Sequence, residues 1–219
     1  VVKELAENSI DAGAETVHVE IAAGGRQSIL VSDDGKGMTR QDAELCTERH
    51  ATSKMRSPTD LFDIGTLGFR GEALASIGAV SRMSIETRVV EEAEGTRIVV
   101  EGGIHRELNS TARAVGTTVS VRNIFFNTPA RRKFLRHIDT ETRHITQSVV
   151  QLAAAHPQTG FELVHQDRTV LSLASGDRRE RAGELLASES EFLLFEQMEE
   201  DGVAVEVFIC PPAQCQRSK

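Results

Sequence analysis

The sequence has few cysteines, no long apolar run and no excess of positive charge. Its three cysteines, Cys46, Cys210 and Cys215, are too few and too scattered for a disulfide framework, which predicts free thiols in a reducing compartment. No apolar run approaches the roughly 18 residues of a membrane-spanning helix, and no basic-then-apolar leader is present, so no membrane partner is expected. A formal net charge of −8 argues against nucleic-acid binding over the whole surface and leaves only a local basic patch open.

The rest of the composition is typical of a globular protein. With 219 residues, 39% of them hydrophobic and 26% charged, the chain can bury one substantial core and begin a second. Strand-like and helix-like segments occur in groups and do not alternate strictly, and no internal repeat is present. The pattern predicts an α+β fold, in which a mixed or antiparallel sheet carries helices on one face.

We expect two units along the chain. Residues 1–178 form the first unit, and from residue 179 the pattern restarts with a helix and two strands around a turn at Asp201-Gly202. The chain opens inside a helix without a Met and stops without an obvious end. We therefore expect that a segment before Val1 is missing and that residues 179–219 begin a second domain that is cut short.

The opening helix, "VVKELAENSID", lines up three oxygen-bearing side chains. Glu4, Asn8 and Asp11 are four and three residues apart and share one helical face, while Lys3 and Glu7 point away from it. Carboxylate and amide oxygens suit Mg²⁺ and can hold or deprotonate a water molecule. A solvated polar stripe is the alternative. Of the three, Asp11 is expected to brace the end of the helix.

Two glycine-rich loops accompany this helix. The segment 33–37, "DDGKG", places two carboxylates at a strand end, and its glycines allow a close approach of backbone or ligand, although an ordinary turn is equally compatible. In "GTLGFRGEA", Gly65, Gly68 and Gly71 can present backbone N–H groups to phosphate ahead of a helix. The loop is neither a Walker A motif nor a dinucleotide fingerprint, so nucleotide binding would need another architecture.

A basic segment, "NTPARRKFLR", follows the predicted sheet strands. Asn127 is expected to cap a helix that starts at Pro129 and places Arg132 and Arg136 on one face. The cluster could contact DNA phosphates, or it could be a solvated face with internal salt bridges. Its members are Arg131, Arg132, Lys133 and Arg136.

Taken together and in order, "ELAENSIDAGA", "DDGKGM", "RHATSK", "GFRGEALASI", "GTT" and "NTPARRKFL" resemble the amino-terminal ATPase region of the MutL family of DNA mismatch repair proteins. That family belongs to the GHKL superfamily, with type II topoisomerases, heat-shock chaperones and sensor histidine kinases. The resemblance covers about residues 1–180. It implies a two-layer GHKL sandwich of helices and a mixed, mostly antiparallel sheet, followed by the start of a second α/β domain similar to ribosomal S5 domain 2.

The resemblance also implies roles for individual residues. Glu4 would be the general base that activates the attacking water, and Asn8 would coordinate Mg²⁺. Asp33 would accept a hydrogen bond from the adenine amino group, with Thr117 beside it, and Gly37 would give the base room. The lid over the phosphates would contain Thr52, Ser53, Lys54, Gly68, Phe69, Arg70 and Gly71.

The function implied by the resemblance is an ATP- and Mg²⁺-dependent molecular switch of DNA mismatch repair. Dimerisation driven by ATP, as a homodimer or heterodimer, would couple mismatch recognition to downstream repair factors. DNA and a MutS-type mismatch-recognition protein would be partners. The location would be the bacterial cytoplasm or DNA, or the nucleus in a eukaryote. Another GHKL enzyme and a non-catalytic nucleotide-binding scaffold are the alternatives.

Two departures from the family pattern affect these expectations. Asp34 stands where many relatives carry Asn, which would add a negative charge near the nucleotide. The family also uses a lysine from the second domain to reach the terminal phosphate, and the chain ends before that region. We therefore expect that residues 1–219 alone bind nucleotide, hydrolyse it poorly and, without the arm that precedes Val1, dimerise weakly.

Overall fold

A computed structural model describes residues 1–48, 72–186, 189–200 and 202–212. The helices are α1 (Val2–Asp11), α2 (Arg40–Leu45), α3 (Ala73–Ala79), α4 (Pro129–Arg132), α5 (Ile138–Ala155) and α6 (Arg178–Leu186). The strands are β1 (Thr16–Ala22), β2 (Ser28–Asp33), β3 (Arg82–Arg88), β4 (Gly95–Glu101), β5 (Ile104–Thr111), β6 (Gly116–Arg122), β7 (Gly160–His165), β8 (Arg168–Leu173), β9 (Leu194–Glu200) and β10 (Val203–Ile209). No helix within these ranges is long and apolar enough to cross a bilayer.

Eight of the described strands form one sheet in the order β5-β4-β3-β6-β2-β1-β7-β8. Only the β1–β7 pair is parallel among these neighbours, and α5 precedes β7 in the chain. The other six neighbouring pairs, which include β1–β2 and β2–β6, are antiparallel. The predicted α+β class with a mixed, mostly antiparallel sheet is therefore confirmed.

The core lies between one face of this sheet and the helices α1 and α5. Alternate strand residues point towards the helices, so directly paired positions form apolar rows across the sheet. Full burial of one such side chain contributes roughly 1.5–3 kcal/mol. The central row, at most 7% exposed, consists of Leu163, Val19, Val31, Val119, Ile85 and Ile98. Polar positions of the same strands face outwards, where Arg97 pairs with Glu86 and Glu107.

Helix α1 is amphipathic in the way that its sequence predicts. Its apolar face packs towards the core through residues that include Leu5 and Ala6. On the opposite side, Lys3 and Glu7 form an ion pair at 3.5 Å. The chain leaves the helix through Gly13, whose φ of +74° is the left-handed conformation that often ends a helix. Glu4 and Asn8 therefore lie on a stripe beside the buried face.

The basic segment differs from its prediction. Helix α4 is a single turn that ends at Arg132, so Arg132 and Arg136 do not share a helical face. The predicted Asn127 cap is also wrong: Thr128 occupies the N-cap position, no side chain caps the helix, and the Asn127 amide nitrogen donates to the Ala79 carbonyl at 2.9 Å. The Arg26 guanidinium donates to the carbonyls of Leu135, at 2.9 Å, and of Arg136. Arg26 thus supplies hydrogen bonds to carbonyl groups that backbone N–H groups would supply if the helix continued.

Helix α6 is fastened to the first unit by one buried arginine. Arg181 is 2% exposed, and its guanidinium donates to the carbonyls of Ala153 at 2.5 Å, Thr159 at 3.0 Å and Ala174 at 2.5 Å. Strands β9 and β10 pair with each other as a separate hairpin. Arg178, on α6, forms an ion pair with β10. The division at residue 178 stays a prediction.

Candidate functional site

The core-facing side of the sheet becomes polar at one end. Two residues beyond the central apolar row, the strand register sets Asp33 opposite Thr117, Thr117 opposite Thr87, and Thr87 opposite Thr96. The next position in the same row, Val17 on β1, is apolar. Polar groups on four adjacent strands, turned towards the helix layer, mark this end as a candidate binding site because buried polar groups require partners.

Asp33 is the only acid in this row and accepts three hydrogen bonds. One carboxylate oxygen accepts from the Ser9 hydroxyl at 2.8 Å, and the other accepts from the backbone N–H groups of Gly35 at 3.0 Å and Thr117 at 3.1 Å. Burial raises the pKa of Asp33, and these hydrogen bonds together with the charge of Arg113 offset part of that rise. The ionised group has acceptor capacity left for a ligand that donates.

The threonines beside Asp33 form a connected pair. The hydroxyl oxygens of Thr117 and Thr87 are 3.0 Å apart. Thr87 also accepts a hydrogen bond from the backbone N–H of Met38 at 2.8 Å, which ties the glycine-rich loop after β2 to β3. The buried network thus joins β2, β3, β6 and this loop at one point.

Two glycines allow these segments to meet. Gly37 has a φ of +71°, and a Cβ there would overlap the carbonyl oxygen of Arg88. Gly116 has a φ of +120°, and a Cβ there would overlap the carbonyl oxygen of Asp33. Both positions lie in conformations that residues with a side chain rarely adopt. The structure therefore gives Gly37 a backbone role, and its effect on a bound base stays a prediction.

Asp34 does not face the same way as Asp33. Its carboxylate accepts from the backbone N–H of Glu15 at 2.8 Å and of Thr16 at 2.9 Å, and from the Thr16 hydroxyl at 2.6 Å. Slight burial opposes ionisation, but these hydrogen bonds outweigh it and lower the pKa of Asp34. The Asp34 carboxylate is therefore held at the start of β1, and the expectation that it adds charge near the nucleotide stays a prediction.

Helix α1 places Glu4 and Asn8 next to this network. Ser9, the residue after Asn8, is 3% exposed and contacts Asp33, which fixes the helix against β2. Glu4 lies one turn earlier and is exposed, whereas Asn8 is half-buried. Among the residues that the structure describes, no group of three His, Cys, Asp or Glu side chains could hold a metal. Asn8 as a single amide ligand fits Mg²⁺, which usually keeps water and phosphate ligands.

The remaining predicted site residues cannot be placed in this arrangement. The basic cluster is exposed around α4 and before α5, and its contact with DNA stays a prediction. The predicted lid lies outside the described residues; this applies to Thr52, Ser53, Lys54, Gly68, Phe69, Arg70 and Gly71.

Three residues of the site were missed by sequence reasoning. Ser9 and Thr87 are polar residues at positions where the helix and strand periodicities require buried side chains, and that mismatch was the available signal. Arg113 carried no local signal. Its guanidinium donates to the carbonyls of Asp33 at 3.1 Å and Glu86 at 2.7 Å, and so clamps β2 to β3.

Comparisons with known proteins identify the family of this chain. Residues 1–114 match the family model described as histidine kinase-, DNA gyrase B- and HSP90-like ATPase. The chain is 46% identical over 216 residues to the DNA mismatch repair protein MutL of Pelobacter propionicus, covering 98% of this chain and 36% of that protein. It is 48% identical over 214 residues to MutL of Anaeromyxobacter dehalogenans, covering 97% and 35%. The chain thus spans about a third of the length of these curated relatives.

A solved structure matches over most of its own length. The Aquifex aeolicus MutL ATPase domain complexed with ADP superimposes with a TM-score of 0.74 at 33% identity, covering 95% of this chain and 74% of that chain. This agreement in fold includes the eight-stranded sheet and the helix layer that carry the site. The chain therefore belongs to the histidine kinase-, DNA gyrase B- and HSP90-like ATPases and, within them, to the MutL family of DNA mismatch repair proteins.

Proposed function

We propose that this chain is the ATP-binding part of a mismatch-repair switch that binds and hydrolyses ATP with Mg²⁺. The observation that carries the proposal is the half-buried carboxylate of Asp33, which accepts hydrogen bonds from Ser9, Gly35 and Thr117 and can accept a further one from a ligand. An ionised carboxylate only accepts, so it selects a ligand edge that donates, such as the exocyclic amino group of adenine. The ADP complex of the Aquifex aeolicus relative supports the same ligand class.

The hydrolytic end of the site is assigned to helix α1. Glu4 holds and deprotonates the attacking water, and Asn8 supplies the protein ligand to Mg²⁺, which when bound neutralises charge on the phosphates. Both residues lie on one face of a helix that is anchored by Ser9 to Asp33, so base recognition and hydrolysis share one rigid element. Catalysis of phosphoryl transfer depends chiefly on such positioning and on charge neutralisation.

The other assignments depend on the family. The lid residues, Thr52, Ser53, Lys54, Gly68, Phe69, Arg70 and Gly71, wrap the phosphates. A homodimer or heterodimer forms when ATP binds and acts with DNA and a MutS-type protein in the bacterial cytoplasm. The relatives support this assignment by their names and bacterial sources.

DNA binding is assigned to the exposed basic residues around α4. Arg131, Arg132 and Lys133 are exposed, as is Arg136 further on, and the chain as a whole has a net charge of −8. Such a patch binds phosphate locally while the remaining surface repels DNA. Charge reversal at Arg131 and Arg132 is expected to weaken DNA binding and flatten its salt dependence. If DNA binding and its salt dependence are both unchanged, the basic cluster does not contact DNA.

Substitution of the proposed base tests the hydrolytic assignment. In the intact protein, Glu4→Ala is expected to retain ATP binding and lose hydrolysis, because the base acts on water and does not hold the nucleotide. Glu7→Ala is the matched control, since Glu7 lies on the same helix but forms an ion pair with Lys3. Full hydrolysis by Glu4→Ala would remove Glu4 from the mechanism. A wild type that binds ATP without any turnover would favour a nucleotide-binding scaffold.

A further inference from the structure

We propose that Thr87 is a positioning residue of the nucleotide site: it fixes the Thr117 hydroxyl as a hydrogen-bond acceptor and thereby favours adenine over guanine. This inference rests on the proposed function, because it concerns how the same site recognises the base. It is carried by three hydrogen bonds at the end of β3, which are all satisfied together by one arrangement of the hydroxyl protons.

Thr87 is buried where its strand would favour an apolar residue. It has an exposure of 0%, and the inward positions before it on β3 are Met83 and Ile85. A buried hydroxyl costs free energy unless it is hydrogen-bonded, so valine would suit the packing equally well. The threonine is therefore explained by what its hydroxyl contacts and not by the volume that it fills.

Three contacts to the Thr87 oxygen determine where its proton lies. The backbone N–H of Met38 donates to this oxygen at 2.8 Å. The Gly116 carbonyl, 3.2 Å away, can only accept, so the single Thr87 proton is directed to it. The Thr117 oxygen lies 3.0 Å away, and with the Thr87 proton already used, this contact requires that Thr117 donates.

This proton arrangement leaves Thr117 with only lone pairs for a ligand. Thr117 is paired directly with Asp33 across β6 and β2, and its own N–H donates to the Asp33 carboxylate at 3.1 Å. Two acceptors therefore lie side by side at the polar end of the sheet. Adenine offers an exocyclic amino donor to such a pair. Guanine carries a carbonyl oxygen at that ring position. This oxygen would face the Asp33 carboxylate and the Thr117 oxygen without a hydrogen bond, which disfavours guanine.

The same oxygen also fixes the loop that follows Asp33. By accepting from Met38, Thr87 holds the Gly37-Met38 peptide against the end of β3, where Gly37 approaches the Arg88 carbonyl. Loss of the Thr87 hydroxyl would leave the Thr117 hydroxyl free to rotate and would release the loop at Met38. Thr87 thus acts on the base through Thr117 and the loop, without touching the base itself.

Binding of non-hydrolysable ATP and GTP analogues by the intact protein tests the inference. Thr87→Val is expected to reduce the preference for ATP over GTP about tenfold, the equivalent of one oriented hydrogen bond. Thr87→Ser keeps the hydroxyl and is expected to retain the wild-type preference. Ser81→Ala is the matched control: this fully buried hydroxyl lies just before the opposite end of β3, donates to the Ile77 carbonyl at 2.7 Å, and its loss should leave the preference unchanged.

Thr87→Ala serves as a second variant if valine prevents folding, because the smaller side chain leaves room for a water molecule to pair with Met38. The ratio of the two affinities does not depend on the fraction of protein that is folded. The inference would be overturned by an unchanged ratio in Thr87→Val or Thr87→Ala. It would also be overturned if Ser81→Ala lost the preference to the same extent, or if Thr87→Ser did not retain the wild-type ratio. Failure of the wild type to bind the ATP analogue would instead overturn the proposed function.

Discussion

The hydroxyl of Ser9 donates to a carboxylate oxygen of Asp33 at 2.8 Å and joins helix α1 to the end of β2. The bond links the two halves of the proposed site, because Asn8 precedes Ser9 on the helix while Asp33 faces the position assigned to the base. A rigid connection of this kind keeps base recognition in register with the groups assigned to hydrolysis. Sequence reasoning missed this role of Ser9.

Ser9→Ala is expected to lower both stability and nucleotide affinity. Removal of the donor leaves a partly buried carboxylate with one partner fewer, which costs about 1–3 kcal/mol in the free energy of unfolding. Urea unfolding and titration with an ATP analogue measure the two effects. Ser148→Ala is the control, since its exposed hydroxyl bonds only within α5, and a change within about 0.5 kcal/mol is expected. Equal losses in both variants would contradict the account.

The raised pKa of Asp33 predicts a defined dependence of stability on pH. Burial raises its folded-state pKa above the unfolded value of about 3.9, so the folded protein binds the proton more tightly than the unfolded chain. Relative to Asp33→Asn, the wild type should therefore lose stability as pH rises from about 4 through the folded pKa, and then stay constant. Unfolding measured in both proteins across this window tests the sign. A stability difference that grows with pH would contradict it.

Arg113 is predicted to stabilise the ends of β2 and β3 at the site. Its guanidinium bridges the carbonyls of Asp33 and Glu86 and the Thr118 hydroxyl, at 3.1, 2.7 and 2.7 Å. Arg113→Ala should lower the free energy of unfolding by about 1–3 kcal/mol. Arg113→Lys should be about as unstable, because a single ammonium group cannot reach the acceptors that two guanidinium nitrogens reach. Arg106→Ala, which removes an exposed ion pair with Glu101, is the control. Full rescue by lysine would reduce the role of Arg113 to its charge.

Arg181 is predicted to hold α6 on the first unit. Arg181→Met would leave buried carbonyls, including those of Ala153 and Thr159, without their donor, at a cost of about 3 kcal/mol or more. Arg178→Met removes a more exposed ion pair to Glu206 and should cost less than about 1 kcal/mol. Thermal unfolding of the two variants measures the difference. Similar stability of the two proteins would show that burial of Arg181 contributes little.

Sequence reasoning succeeded where the signal was local. The period of α1 placed Glu4 and Asn8 on one face. The residue types at helix ends also match their positions: Gly13 is left-handed after α1, and Thr39 caps α2 by accepting from the Asp42 N–H at 3.1 Å. Cys46 and Cys210 are free thiols, as expected, and burial raises the pKa of Cys46 to about 12. In each case the deciding interaction lies within a few residues of the chain.

The errors arose where partners are distant in sequence. Asn127 appeared suited to cap a helix, but the Ala79 carbonyl, 48 residues away, takes its amide proton. The partners of the Asp34 carboxylate, the N–H groups of Glu15 and Thr16, are also distant in sequence and were not predicted. Thr87 reaches Thr117 only through the pairing of β3 with β6. Register across a sheet is fixed by the whole fold, so the local pattern could not supply it.

The central claim is that Asp33 reads the base of a bound nucleotide, and its most direct test is the affinity of the intact protein for an ATP analogue. Asp33→Asn puts an amide donor where an acceptor is required and should weaken binding roughly a hundredfold, about 3 kcal/mol. Asp34→Asn alters the neighbouring carboxylate, which is directed to Thr16, and should bind within about twofold of the wild type. Calorimetric titration of the three proteins is decisive: loss confined to Asp33→Asn is predicted, and undiminished affinity in Asp33→Asn would contradict the account.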